Sequence, residues 1–225
     1  MDNDFIKYLS GFLTEKRSRL FDTILQNRTR YTTVVLEDIY QSHNASAVLR
    51  SCDCFGIQDV HIIENRNPYE LNTEVTMGSD KWLSLYTYNK EKNNTLSTIQ
   101  SLKKSGYRIV ATTPHNDDVL LEDFDITKAK FALFFGTELK GLSDVAMEHA
   151  DEFLRIPMYG FTESYNISVS ASIILHTLVQ QLNKSKLSWK LSDEEKENLK
   201  LEWMKKSIKS ADLIEANYRE NLRKN

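Results

Sequence analysis

Cysteine is almost missing from this 225-residue sequence, which holds only Cys52 and Cys54. Two residues apart on a predicted helix, they point to different faces. That excludes a local disulfide or thiolate metal clip and fits half-buried thiols in a reducing cytosol. No run of about 18 apolar residues occurs, so no transmembrane helix is predicted. The opening MDNDFIKYLS is acidic and has neither a basic n-region nor a cleavage site, so a cytoplasmic location is expected rather than secretion. The patterns G-x-x-x-x-G-K-[ST], G-x-G-x-x-G and G-x-S-x-G are all absent, which removes the usual phosphate-loop, dinucleotide and hydrolase readings. The histidines, His43, His61, His115, His149 and His176, show no metal-ligand spacing, and no metal is expected. His61 and His176 fall inside apolar stretches and read as core residues. Excess positive charge is missing too. A net charge of −3 and a pI near 6.0 argue against a protein that coats nucleic acid indiscriminately, but leave room for a local basic surface.

With 40% hydrophobic and 27% charged residues, the chain is long and apolar enough to bury one sizeable core, with or without appendages. Asp4–Leu13 and Glu15–Arg28 are predicted helices, the second capped by Thr14. The second carries Lys16, Arg17 and Arg19, with Arg28 and Arg30 after it; this is either a solvated face or an arm that contacts phosphates. Strands are predicted at Thr32–Ile39, Asp59–Glu64, Trp82–Tyr88, Tyr107–Thr113, Phe131–Phe135 and Phe153–Met158. Between them lie a helix after Tyr40, capped by Asn44 or Ser46 and ended by Gly56, and a helix at Thr95–Ser105 closed by Gly106. Ser143 caps a third helix, reaching about Ala150. Ala47, Val48 and Phe55 supply buried contacts, and Asn65–Lys81 is a long irregular loop of the kind that often carries function. Strands alternating with helices predict an α/β fold, a mostly parallel sheet with helices on both faces.

The chain is organised around Phe153–Leu182, FLRIPMYGFTESYNISVSASIILHTLVQQL. A short strand gives way to a loop bearing Gly160, Thr162, Glu163, Ser164 and Asn166, then to a helix with Val169, Ile173, Ile174, Val179 and Leu182 at helical spacing. Where strand carboxyl ends meet helix amino ends, α/β proteins bind ligands. Two more clusters follow predicted strands: His43, Asn44 and Arg50, and the glycine-flanked Glu138 between Gly136 and Gly141. Beyond Lys184 the composition shifts to helix formers, with Ser192 and Glu195 spaced as a capping box. Lys205, Lys206 and Lys209 crowd one part, and Arg219, Arg223 and Lys224 follow. These boundaries predict an amino-terminal helical extension over 1–30, an α/β domain over 31–184 and a carboxyl-terminal helical extension over 185–225.

Taken together, N-A-S-A-V-L-R-S at Asn44–Ser51, F-F-G-T-E-L-K-G-L-S at Phe134–Ser143 and I-P-M-Y-G-F-T-E-S-Y-N-I-S-V-S at Ile156–Ser170 resemble the three signature motifs of the SpoU family. These are S-adenosylmethionine-dependent RNA ribose 2′-O-methyltransferases, and the chain is most similar to the TrmH type that acts on guanosine 18 of tRNA. The resemblance runs from about Glu15 to Lys184. It implies an α/β knot, with a deep trefoil knot near the carboxyl end that breaks the rule against threaded loops. It also implies a homodimer with each active site at the subunit interface, S-adenosylmethionine as cofactor, and tRNA as partner. By position, Asn44, Arg50, Glu138, Ser164 and Asn166 correspond to the family's catalytic site. Thr112, Gly136, Ile156 and Tyr165 correspond to its cofactor pocket, Tyr165 standing where the family often has leucine. With only about 30 residues ahead of the first strand, a further globular RNA-binding domain is not expected there. The terminal basic helices are then the expected tRNA contacts, through Arg17, Arg19, Lys205, Lys206 and Lys209, with His43 near the site. Methylation of another tRNA or rRNA nucleotide, or RNA binding without catalysis, are the alternatives.

Overall fold

Apolar side chains in β1 (Thr32–Glu37) and its neighbours alternate between two buried faces, and this alternation sets the architecture of the computed structural model, which describes residues 3–114 and 119–224. In chain order the elements are α1 (Asn3–Ser10), α2 (Glu15–Leu25), β1, α3 (Ser42–Cys54), β2 (Asp59–Ile63), α4 (Thr73–Thr76) and β3 (Ser84–Tyr88). There follow α5 (Thr95–Lys104), β4 (Arg108–Thr112), β5 (Val119–Leu120), β6 (Phe131–Phe135), α6 (Asp144–His149), β7 (Glu152–Arg155), α7 (Ile167–Lys184), α8 (Asp193–Ser207) and α9 (Ala211–Lys224). His115 lies outside the described residues.

All seven strands of the sheet run parallel, in the order β3-β2-β1-β6-β4-β7-β5. Val34, Leu36, Phe131, Leu133 and Phe135 face one core with α3 and α7, whereas Val35, Ala132 and Phe134 face the other with α5 and α6. A strand covered on both faces reads as an unbroken apolar run, as FALFF does. Each buried phenylalanine there contributes on the order of 2 kcal/mol. Because the strands are parallel, their carboxyl ends lie along one edge of the sheet. The segments that follow β1, β4, β6 and β7, neighbours in the middle of the sheet, therefore gather at that edge.

Several expectations change. α3 starts at Ser42 with Gln41 as its N-cap, so neither Asn44 nor Ser46 caps it. Ser46 Oγ instead accepts the Asn72 N–H at 3.0 Å. The irregular 65–81 segment contains α4, capped by Asn72, and a 3₁₀ turn. On α7 the buried face is Ile167, Ala171, Ile174, Leu175, Leu178, Val179 and Leu182, which leaves Val169 exposed. His176 is likewise exposed rather than core, its ring set edge-on to Phe55. The cysteines are not both half-buried: Cys52 is buried and Cys54 exposed. β5, two residues long, escaped the sequence pattern.

His61 is buried as expected, stacked on Tyr86 and Tyr88, with Nδ1 2.8 Å from the Tyr88 hydroxyl. Desolvation lowers its pKa from 6.5 to about 4. The unfolded chain therefore binds the extra proton between those values. This contribution to stability is complete above pH 6.5 and is lost as pH falls towards 4, a difference of about 3 kcal/mol. His61→Phe, which keeps the stack but cannot titrate, should flatten that limb. Urea melts at pH 7 and pH 4.5 check this; equal acid losses in wild type and variant would refute it.

The chain divides into two compact units. One comprises Thr29–Trp189; the other joins the residues up to Arg28 with those from Lys190 onward. The two termini thus share one helical unit. Within it Phe21 packs edge-on against Trp203, Phe5 and Tyr8 meet Tyr218, and the Ser192–Glu195 capping box is formed. Arg28 is buried with its guanidinium 5.2 Å from the Trp203 ring. In the sheet unit, Arg30 is paired with Asp59 at 3.0 Å. Both arginines are therefore structural, not members of a phosphate-contacting arm.

Candidate active site

A cleft of about 590 Å³ opens among the 112–114, 135–142 and 154–170 segments. The four residues expected to hold a cofactor, Thr112, Gly136, Ile156 and Tyr165, all line it, as do Glu138, Ser164 and Asn166. β4, β6 and β7 deliver these segments from adjacent strands. The α7 helix starts in the cleft wall, where Asn166 is its N-cap: its Oδ1 accepts the Ser168 N–H at 2.9 Å and the Ser168 hydroxyl at 2.6 Å.

Three of the expected catalytic side chains join in one line of hydrogen bonds. Asn44 Nδ2 donates to Glu138 Oε1 and, at 2.9 Å, to Gln41 Oε1, while Asn166 Nδ2 donates to Asn44 Oδ1 at 3.2 Å. Residues 44, 138 and 166, which are far apart in the chain, are thereby fixed against one another. The packing of α3 on α7 holds this alignment, helped by the Ser51 and Ser172 hydroxyls 2.8 Å apart.

Gly136 is required by space. A Cβ there would stand 2.2 Å from the Gly141 backbone and 2.3 Å from the Leu142 nitrogen. The close approach lets Thr137 and Gly141 exchange N–H···O bonds of 3.0 and 2.9 Å, with Gly141 in the left-handed region at φ 67°. This tight loop presents Glu138 and Leu139.

Arg50 stands apart from this cluster. It is exposed on α3, about 9 Å along the helix from Asn44. It does not line the cleft, and its side chain makes no ion pair or hydrogen bond among the described residues. His43 is also exposed, in the first turn of α3. In the helical unit Arg19 pairs with Glu15, Lys205 pairs with Glu215, and Arg17 lies 5.6 Å over the Phe21 ring; Lys206 and Lys209 are exposed. Hydrogen bonds from Lys205 and Arg219, with their positive charge, hold the Glu215 carboxyl below its usual range. Sequence reasoning passed over Glu37, whose partners Thr95 and Ser143 are brought to it only in three dimensions, and Gln41, which bonds Asn44 three residues on.

Comparison with known proteins accords with this geometry. Residues 31–176 match the SpoU rRNA Methylase family. A tRNA (guanosine(18)-2′-O)-methyltransferase of Borreliella burgdorferi is 44% identical over 96% of this chain and 98% of its own length. The crystal structure of the A. aeolicus TrmH/SpoU tRNA modifying enzyme superposes with a TM-score of 0.76 at 30% identity, covering 87% of this chain and 98% of that one. An AdoMet-bound rRNA methyltransferase from Sinorhizobium meliloti gives a TM-score of 0.60 at 25% identity over 72% of this chain and 60% of that one. Matched by the family model over residues 31–176 and 44% identical to the Borreliella enzyme over nearly its whole length, the chain belongs to the SpoU rRNA methylase family.

Proposed function

We propose that this chain methylates the ribose 2′-hydroxyl of guanosine 18 in tRNA, the activity named for its Borreliella relative, with S-adenosylmethionine as methyl donor. The observation that carries the reading is the Glu138–Asn44–Asn166 line of hydrogen bonds beside the cleft. Cleft volume and lining fit the donor. About 590 Å³ suits a nucleoside joined to an amino acid; Leu142, Leu154, Ile156 and Met158 offer apolar surface to a purine, and Glu138 and Glu163 offer negative charge to a sulfonium. When bound, the donor supplies a methyl group on positively charged sulfur, a strong electrophile.

The chain's residues then have to orient a poor nucleophile and help it lose a proton. A guanidinium stays protonated, so Arg50 cannot itself take that proton. Its role is to grip an RNA phosphate, which receives the hydroxyl proton, and to stabilise the developing alkoxide. Glu138, Ser164 and Asn166 order the cleft side of the reaction, Asn44 aligns them, and Thr112, Gly136, Ile156 and Tyr165 shape the donor's seat. We read the chain as a homodimer in which each Arg50 faces its partner's cleft. Leu139, Tyr159 and Phe161, on loops at the cleft, are 94% exposed or more, apolar surface that a second copy would cover. The trefoil knot is part of the same reading. Its support is the insertion of β6 between β1 and β4, with loops 136–143 and 156–166 wrapping one cleft.

The helical unit is the tRNA grip, through Arg17, Arg19, Lys206 and Lys209; Arg19 and Lys205 reach RNA by releasing Glu15 and Glu215. Replacing Lys206 and Lys209 with alanine should weaken tRNA binding and lower the salt slope by about one to two. Unchanged affinity and slope would mean that neither contacts RNA. Calorimetry with S-adenosylmethionine tests the donor site itself: saturable binding at one site per chain is expected, and no binding heat would sink the proposal.

A further inference from the structure

Glu37, at the carboxyl end of β1, is a 2% exposed carboxylate that the reaction outlined above leaves unused. Its Oε2 accepts the Ser143 N–H at 2.8 Å, and its Oε1 accepts the hydroxyls of Ser143 at 2.7 Å and Thr95 at 2.5 Å. The direction of these bonds is forced. Ser143 Oγ already accepts the Ala146 N–H at 3.2 Å as the cap of α6, and Thr95 Oγ1 accepts Asn65 Nδ2 at 2.9 Å. A carboxylate oxygen only accepts, so each hydroxyl directs its one proton at Glu37 while its own oxygen stays free to accept. Three donors on two oxygens suit a carboxylate; an amide would turn an NH₂ group towards one of them. The relay is anchored beyond Asn65. Asp38, in the left-handed region at φ 53°, accepts the N–H groups of Asn65 and Arg66 at 2.7 and 2.8 Å.

Ser143 ends the 136–143 loop, whose beginning is the crowded Gly136 and whose tip carries Glu138. We propose that Glu37 is a positioning residue that, in relay with Thr95 and Asn65, locks this loop in the form that receives the methyl donor. The proposal rests on reading the cleft as the donor's seat. Burial makes such a clamp rigid, and a loop shifted by about 1 Å at a binding site is enough to cost roughly a hundredfold. Thr95 is the informative partner, because it is buried outside the cleft lining and influences the loop through Glu37.

The test uses the full chain with Glu37→Gln, Thr95→Val and the double variant. It reads S-adenosylmethionine affinity by calorimetry, tRNA affinity by filter binding, and amide hydrogen exchange over 136–143. Glu37→Gln should weaken donor binding about tenfold or more and speed exchange in the loop. Exchange in Phe131–Phe135 and tRNA affinity should stay unchanged. Thr95→Val should shift the same readouts less, and the double variant should be no worse than Glu37→Gln alone. Wild-type donor affinity and loop exchange in a folded variant would overturn the proposal. So would parallel loss of donor and tRNA binding, which marks general destabilisation. If Glu37→Gln does not fold, Thr95→Val decides alone. If the wild-type chain binds no donor, the functional reading fails first, and the exchange experiment still judges the clamp.

Discussion

Arg50→Lys should lose most methyl transfer, at least about a hundredfold in kcat, while binding S-adenosylmethionine as tightly as the wild type. The cause is geometric. Arginine presents a planar fork to a phosphate and to a developing alkoxide at once; lysine keeps the charge as a single, strongly hydrated point. The Arg50 side chain makes no ion pair or hydrogen bond among the described residues and is exposed, so the substitution removes nothing that holds the fold. Surface changes of that kind usually alter stability by less than about 0.5 kcal/mol. Single-turnover rates at saturating tRNA, read with donor affinity, separate the effects. Near-normal turnover in the variant would remove Arg50 from the mechanism.

Gly136→Ala should be as damaging by a different route. The added methyl would have to sit 2.2 Å from the Gly141 backbone, far inside contact distance, and no rotamer relieves a Cβ clash with main chain. The loop must open by more than an ångström, breaking the paired bonds between Thr137 and Gly141 and withdrawing Glu138 from Asn44. Donor affinity should fall by about a hundredfold, with a stability loss of about 1 to 3 kcal/mol from overpacking. Thermal melts and calorimetry on the same sample measure both. Wild-type donor binding in Gly136→Ala would show that the loop's tight form is dispensable.

The fold was readable wherever burial left a periodic trace. Phe131–Phe135 is apolar on both faces because helices cover both, and it was placed without error; the Ser192–Glu195 capping box was readable because its two halves are three residues apart. Helix boundaries failed where a polar side chain has a distant duty. Asn44 looked like a cap, but its amide is committed to Glu138, 94 residues away in the chain. Glu37 was invisible for the same reason, since its partners lie 58 and 106 residues on. His176 falls among apolar neighbours in sequence yet on the solvent side of α7, a placement set by how the helix docks on α3. In the site, family resemblance named the residues, and convergence of parallel strand ends explains why residues from three distant motifs line or border one cleft. The union of both termini in one helical unit leaves no mark in composition or spacing.

The central claim is that this cleft sets a methyl donor beside one ribose oxygen. Incubating the purified chain with S-adenosylmethionine and an unmodified tRNA transcript, then mapping the product by alkaline hydrolysis and mass spectrometry, tests it most directly. A single alkali-resistant linkage carrying one methyl group at guanosine 18 is the result expected. A methyl group on a base, or every linkage remaining alkali-labile despite bound donor, would contradict it.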